Sequence, residues 1–271
     1  MKVLISVDME GVAGVVKGDH VSSQHKEYER FRRLMTAEAN AAIEGALEGG
    51  ATDVTVNDSH GGMTNVLIEE LNPEAELISG NRKPLGMMQG IGRDVDKLFF
   101  VGYHAAAGTG AALLSHTCSG RVIRSVVLND RVVGETGLNA ALAGAYGVPV
   151  GLITGDRAVV EEAQALLDGV EAVVVKDALT RMAARCIHPR VAQERIKRAA
   201  RRAIEKSGGS FRVSSPIRLE VSFKSALYAD QAMLLPYTDR VDGVTVGWKG
   251  DDMTTVYRVF RAMMMLAAVA A

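Results

Sequence analysis

The acidic and imidazole side chains of this sequence fall where they could hold metal. Asp8 and Glu10 lie in Ser6-Val7-Asp8-Met9-Glu10-Gly11, His60 in Asn57-Asp58-Ser59-His60-Gly61-Gly62 and His104 in Gly102-Tyr103-His104-Ala105. Glu135 lies in Val133-Gly134-Glu135-Thr136-Gly137. Three carboxylates and two imidazoles without thiolate suit zinc, manganese, cobalt or iron rather than calcium. The set exceeds what one four-coordinate zinc needs. Two ions about 3.5–4 Å apart, sharing a carboxylate, would use it all, and the short Asp8 is the natural bridge. Taken singly, Asp8 and Asp58 read as caps, Glu135 as a first-turn helix acid, and each histidine as a hydrogen-bonded loop residue. Convergence carries the metal reading.

His116, in Leu114-Ser115-His116-Thr117-Cys118, follows the glycine-rich Gly108-Thr109-Gly110. A neutral imidazole there could serve as acid and base or stabilise an oxyanion; a loop histidine bonded to backbone is the plainer alternative. Cys118 invites a Cys/His nucleophile, but adjacency along the chain supplies no geometry, and a small buried thiol is the expectation. Gly108-Thr109-Gly110 lacks the third glycine of a dinucleotide fingerprint. His20, His25 and His188 sit among polar or basic neighbours and are read as surface residues.

Strands must deliver these groups. Lys2–Val7, Asp53–Asn57 and Lys97–Val101 are short β-branched or aromatic runs, and each ends just before one ligand cluster. In open α/β sheets, ligands bind beyond the carboxyl ends of the strands, so three strands would present their groups at one rim. Between them, 27–47, 137–146, 157–167 and 189–206 read as helices, and 149–154 and 172–175 as further strands. Ile123–Leu128 and Arg131–Val133 flank Asn129-Asp130 as a hairpin. The alternation predicts an α/β fold with a largely parallel sheet flanked by helices. Ser207-Gly208-Gly209-Ser210 is the most linker-like stretch, which divides the chain into a metal-site domain, 1–206, and a smaller α+β portion, 207–271. In that portion 217–223 and 241–248 read as strands, 224–234 and 251–270 as helices.

Composition limits the partners. The 271 residues carry 31 Lys+Arg against 32 Asp+Glu, a net charge of -1, so no global field draws the chain to nucleic acid or an anionic membrane. Aromatics at 5% leave little material for base-stacking platforms. The basic run from Arg181 through Arg195, Arg198, Arg201 and Arg202 to Lys206 reads as a solvated helix face or an oligomer contact. No stretch approaches a spanning length, no signal segment opens the chain, and two cysteines fit a reducing compartment. The expected address is the cytoplasm.

Together, Ser6–Gly11, Asn57–His60, Gly102–Ala105, Ser115-His116 and Gly134-Glu135-Thr136-Gly137-Leu138-Asn139-Ala140 resemble the zinc D-aminopeptidases encoded with bacterial dipeptide-transport genes. The likeness continues through Val148-Pro149-Val150, Gly155-Asp156 and Val175-Lys176 to Arg181, and is weaker in the last third. It implies two Zn2+ per subunit held by Asp8, Glu10, His60, His104 and Glu135, with His116 catalytic. It also implies release of N-terminal D-amino acids such as D-alanine from short peptides, and a ring-shaped homo-oligomer such as a decamer. A metal-bridging hydroxide would attack the scissile carbonyl, and Asp58 would orient His60. The rivals are a metallophosphoesterase or another metal-dependent amidohydrolase, and a non-enzymatic peptide-binding protein with a structural metal. Asp8-x-Glu10 differs from the Asp-x-His opening of phosphoesterases, and structural zinc sites are closed by four ligands.

Overall fold

Val3, Ile5 and Val7 alternate with Leu4 and Ser6 along the first strand, and both sets are buried. Such two-faced burial marks a strand inside a helix-flanked parallel sheet. The computed structural model, which describes residues 1–271, bears this out. A seven-stranded sheet is built from β1 (Lys2–Val7), β2 (Asp53–Asp58), β3 (Ala75–Ile78), β4 (Lys97–Tyr103), β7 (Val150–Asp156), β8 (Glu171–Thr180) and β9 (Ala183–Cys186). The order is β3-β2-β1-β4-β7-β8-β9, parallel except for β9, which returns antiparallel on β8. From β1 the chain first builds outward through β2 and β3, then crosses to β4 on the other side. The gap between β1 and β4 is therefore the switch point where such sheets open a crevice.

One face packs on α2 (Tyr28–Glu48) and α5 (Pro189–Glu205); Val3, Ile5 and Val7 meet Phe31, Met35, Ile43, Ile196 and Ala200 there. The basic residues of α5 point outward, where Lys197 pairs with Glu44 and Glu48, and Arg202 and Lys206 pair with Glu171. The opposite face packs on α3 (Glu135–Tyr146), α4 (Arg157–Gln164) and a second, antiparallel sheet. That sheet runs β11-β12-β10-β5-β6, from β5 (Ile123–Leu128), β6 (Arg131–Val133), β10 (Ile217–Phe223), β11 (Asp239–Arg240) and β12 (Thr245–Gly250). The Asn129-Asp130 hairpin is present, both turn residues having positive φ (44° and 68°), as a primed two-residue turn requires. The remaining helices are α1 (Gly18–Val21), α6 (Ala226–Ala232) and α7 (Met253–Val269).

The Ser207–Ser210 stretch is not a free tether: Gly209 and Val150 exchange backbone hydrogen bonds, both of 2.8 Å, and Lys97 donates to the carbonyls of Lys206 and Ser207. The C-terminal strand β10 pairs directly with β5, so the second sheet draws on residues from both sides of that stretch.

Candidate metal centre

Register places the site. Val7 lies opposite Asp58 on β2 and opposite Val101 on β4, so Asp8 and Ser59 leave the sheet together at the switch point, beside Gly102 near the end of β4. Two glycines let the ligand-bearing turns press together. A Cβ on Gly102 (φ +69) would lie 2.2 Å from the Asp8 carbonyl oxygen, and one on Gly11 would lie 1.9 Å from the Tyr103 carbonyl oxygen. The Gly11 amide instead donates to the Gly102 carbonyl at 2.7 Å. Glu135 arrives from elsewhere, as the first residue of α3 after the β5–β6 hairpin.

The five residues converge. His60 Nδ1 lies 2.9 Å from Glu10 Oε2 and 3.2 Å from Asp8 Oδ1; His104 Nε2 lies 3.1 Å from Glu135 Oε1 and 3.6 Å from Asp8 Oδ2. Two triads, Asp8-Glu10-His60 and Asp8-His104-Glu135, each bring their ligand atoms within 4.8 Å of one another, and Asp8 belongs to both. A third grouping, Glu10-His104-His116, also lies within that span, so His116 stands beside the ligand cluster.

Backbone carbonyls set the tautomers. The Nε2–H of His60 donates to the Val21 carbonyl at 2.8 Å, which leaves its Nδ1 lone pair toward the carboxylates. The Nδ1–H of His104 donates to the Ala105 carbonyl at 3.0 Å, and its buried Nε2 has no hydrogen-bond partner at all. An orphaned ring nitrogen aimed among carboxylate oxygens fits a cation, as does the local charge. Asp8, Glu10 and Glu135 are only 2%, 6% and 3% exposed, and burying three like charges together is costly unless positive charge joins them. Burial and the neighbouring Glu10 charge push the Asp8 carboxyl up to about 7. For Glu10, burial works in the same upward direction but loses to the charge and hydrogen bond of His60, which hold it well below its ordinary value. Burial likewise opposes protonation of His60 and His104, yet the Glu10 and Glu135 charges respectively raise each well above the usual imidazole range. The field that would hold protons there is the field that would hold metal.

His116 differs. Its Nδ1–H donates to the Leu114 carbonyl at 2.9 Å, its ring stacks on His104 at 4.1 Å, and burial together with the His104 charge lowers its pKa. It is a neutral base whose Nε2 lies 3.7 Å from Glu135 Oε1. Burial pushes the Cys118 thiol well up, which disfavours the thiolate a nucleophile would need, while the Cys118 amide donates to Glu135 Oε1 at 2.7 Å.

Asp58 does not touch the His60 ring. Its carboxylate accepts from the Asn65 amide and side chain and from the Val66 amide, and Asn65 in turn donates to the His60 carbonyl. It shapes the loop rather than the imidazole. His20, expected at the surface, is buried and stacked on Phe31 at 3.8 Å.

Several groups beneath the site hold its backbone and connect its strands. Lys176 reaches across from β8 and donates to the carbonyls of Glu10, Val12 and Val15 at 2.5, 2.8 and 2.8 Å. Glu38 on α2 accepts from the Ala13 amide, so the loop after Asp8 is held from two sides. A chain of buried hydroxyls and amides joins Ser59, Ser6, Tyr103, Asn139 and Tyr257, linking β1, β2 and β4 to α3 and α7. Ser6, Ser59, Tyr103, Asn139 and Lys176 lie in the segments that resemble the zinc D-aminopeptidases, whereas nothing in the sequence marks Glu38 or Tyr257.

Above the ligands lies a cavity of about 800 Å³, with Asp8, Glu10, His60, His116 and Glu135 on one side. Leu235, Phe260, Met264, Met265 and Val269 form an apolar wall opposite, mostly from α7. A doubly wound α/β protein with buried carboxylates and imidazoles at its switch point, opening into a partly apolar cleft, belongs to the hydrolytic enzymes able to use metal.

Comparison with known proteins narrows that class. Residues 1–262 match the D-aminopeptidase family. A D-aminopeptidase of Bacillus subtilis (strain 168) is 39% identical over 270 residues, 98% of either chain. The solved structure of the Zn-dependent D-aminopeptidase DppA from Bacillus subtilis, a self-compartmentalizing protease, superposes with a TM-score of 0.95 at 37% identity, covering 99% of this chain and 98% of that one. The chain belongs to the D-aminopeptidase family and is a peptidase.

Proposed function

We propose that this chain is a zinc aminopeptidase that removes N-terminal D-amino acids, D-alanine among them, from short peptides. Two ions per subunit are held by Asp8, Glu10, His60, His104 and Glu135. The observation that carries this reading is the pair of triads meeting on Asp8 at the floor of a peptide-sized cavity. Zinc bound there supplies hydroxide near neutral pH, by lowering the pKa of water to about 7, and polarises the scissile carbonyl.

The chain's own groups supply the rest. His116 is neutral with Nδ1–H committed to Leu114, so Nε2 is free to take the proton of the attacking water. It then returns that proton to the amine leaving as the peptide C–N bond breaks. Asp8, Glu10 and Glu135 offset most of the charge of the cations, which weakens the pull on a phosphate dianion, and the free amino terminus of a peptide would bind there as the neutral amine. The apolar wall excludes water from the reacting carbonyl, which strengthens each of these interactions.

No helix is long and apolar enough to cross a membrane; a cytoplasmic homo-oligomer, in a ring such as a decamer, is the assembly we infer. Exposed apolar residues support it: Leu179 and Met182 near the tip of the β8–β9 hairpin, and Leu234, Tyr237 and Val269. Sedimentation of the purified chain tests it, a monomer at micromolar concentration counting against it.

The activity test is alanine release from D-Ala and L-Ala dipeptides, with and without a chelator, followed by zinc readdition. Release from the D-peptides alone, abolished by chelation and restored by zinc, is expected. Preference for L-peptides, or chelator-resistant turnover, would overturn the reading.

A further inference from the structure

Arg261 is the only buried arginine of the chain, and it has no anionic partner. Its side chain lines the same cavity as the metal-site carboxylates, at 8% exposure. Its Nη2 donates to the Lys83 carbonyl at 3.0 Å, and no carboxylate lies within ion-pairing distance. Several less buried arginines do have such a partner: Arg157 pairs with Asp177, Arg202 with Glu171 and Arg240 with Asp230. A buried guanidinium is always charged and is costly to leave without a counter-anion. Lys83, its buried neighbour, adds positive charge instead, and its ammonium is already spent on Asn57 Oδ1 and the Asp58 carbonyl. Space has been kept for this cation: a Cβ on Gly86 (φ +50) would lie 1.8 Å from Arg261 Nη1. At the rim of the cavity Arg82 is exposed, and its side chain also has no carboxylate partner.

We infer that Arg261, supported by Arg82 at the rim, is the subsite that receives the C-terminal carboxylate of the peptide. The inference rests on the aminopeptidase reading and sharpens its substrate class. The amino terminus sits at the carboxylate-rich side of the cavity and the carboxylate at the guanidinium side. The enzyme thereby measures length and selects free dipeptides, or peptides nearly as short, over amidated ones. A carboxylate fits a guanidinium fork bidentately, whereas a C-terminal amide brings no charge and puts a donor against a donor. The apolar wall between, formed by Leu235, Met264 and Met265, accommodates an uncharged second side chain.

The test compares D-alanyl-D-leucine with its C-terminal amide in the full-length protein. Turnover by the zinc-loaded enzyme gives KM for each, and calorimetry on chelated protein gives binding without hydrolysis. The wild type is expected to favour the free acid by about tenfold or more in both readouts. Arg261→Gln should treat acid and amide alike, Arg261→Lys should keep part of the preference, and Gly86→Ala should lose most of it by displacing the guanidinium. Equal handling of acid and amide by the wild type overturns the inference, whether or not any variant folds. So does an acid preference that survives in Arg261→Gln, or a chelated protein that binds neither peptide. A protein that binds the acid selectively yet cleaves neither peptide keeps the subsite and loses the activity.

Discussion

Replacing Lys176 by methionine should separate the positioning of Glu10 from the stability of the fold. The ammonium holds three carbonyls, those of Glu10, Val12 and Val15. Leaving three buried acceptors unpaired costs roughly 1–3 kcal/mol each, so about 4–5 kcal/mol if each falls near the low middle of that range. Against this stands relief. Burial lowers the Lys176 pKa from 10.5 to about 8, which corresponds to roughly 3 kcal/mol spent on keeping the charge inside. The net loss of stability is therefore about 1–2 kcal/mol, a small part of what a domain commonly has. The effect on metal should be larger in consequence, because the Glu10 backbone is no longer fixed; groups that orient ligands are commonly worth about 10–100-fold in affinity. Urea unfolding of the metal-free protein, zinc affinity by competition with a chelating dye, and peptide turnover form the assay. A modest shift in unfolding midpoint with at least tenfold weaker zinc binding is expected, and Lys176→Arg should recover part of the affinity. A variant that keeps wild-type zinc affinity and turnover would refute the reasoning. So would one whose metal-free form loses about 5 kcal/mol or more.

His116→Ala should lower kcat about 10²–10⁴-fold while zinc content measured by atomic absorption stays at the wild-type level; near-normal turnover would remove the imidazole from the chemistry. Gly102→Ala sets a Cβ 2.2 Å from the Asp8 carbonyl oxygen in a left-handed backbone, so it should cost about 2–4 kcal/mol and impair zinc retention. Unchanged thermal denaturation would count against that packing. Cys118→Ser should keep turnover within a few-fold, since the thiol stays protonated; a loss comparable to that of His116→Ala would revive the thiolate.

The rim was legible in the sequence because strand ends announce themselves. β-Branched or aromatic runs give way abruptly to Asp8, Asp58 and His104, and a parallel sheet brings such breaks to one edge. The hairpin before Glu135 was legible for a similar local reason, the Asn129-Asp130 turn. What escaped depends on packing between distant segments. The strand β3 has four residues, half-buried at the sheet edge, too few for a period to emerge. The strand β8 runs well past the apolar 172–175 core because β9 pairs with its polar end. Nothing local in Arg261 distinguishes it from the solvated arginines of α5; only the approach of α7 to the Lys83–Gly86 turn buries it. His20 misled in the opposite sense, its polar neighbours hiding the Phe31 ring it stacks upon.

The helix α7 gives the cleft its greasy side and its buried guanidinium, yet contributes none of the proposed cation ligands. Reaction and recognition are thus written in different stretches of polypeptide, joined beneath the surface by Tyr257 and Asn139. Substitutions along one face of a single terminal helix could redirect such an enzyme toward bulkier, smaller or amidated peptides while its hydrolytic heart stayed untouched.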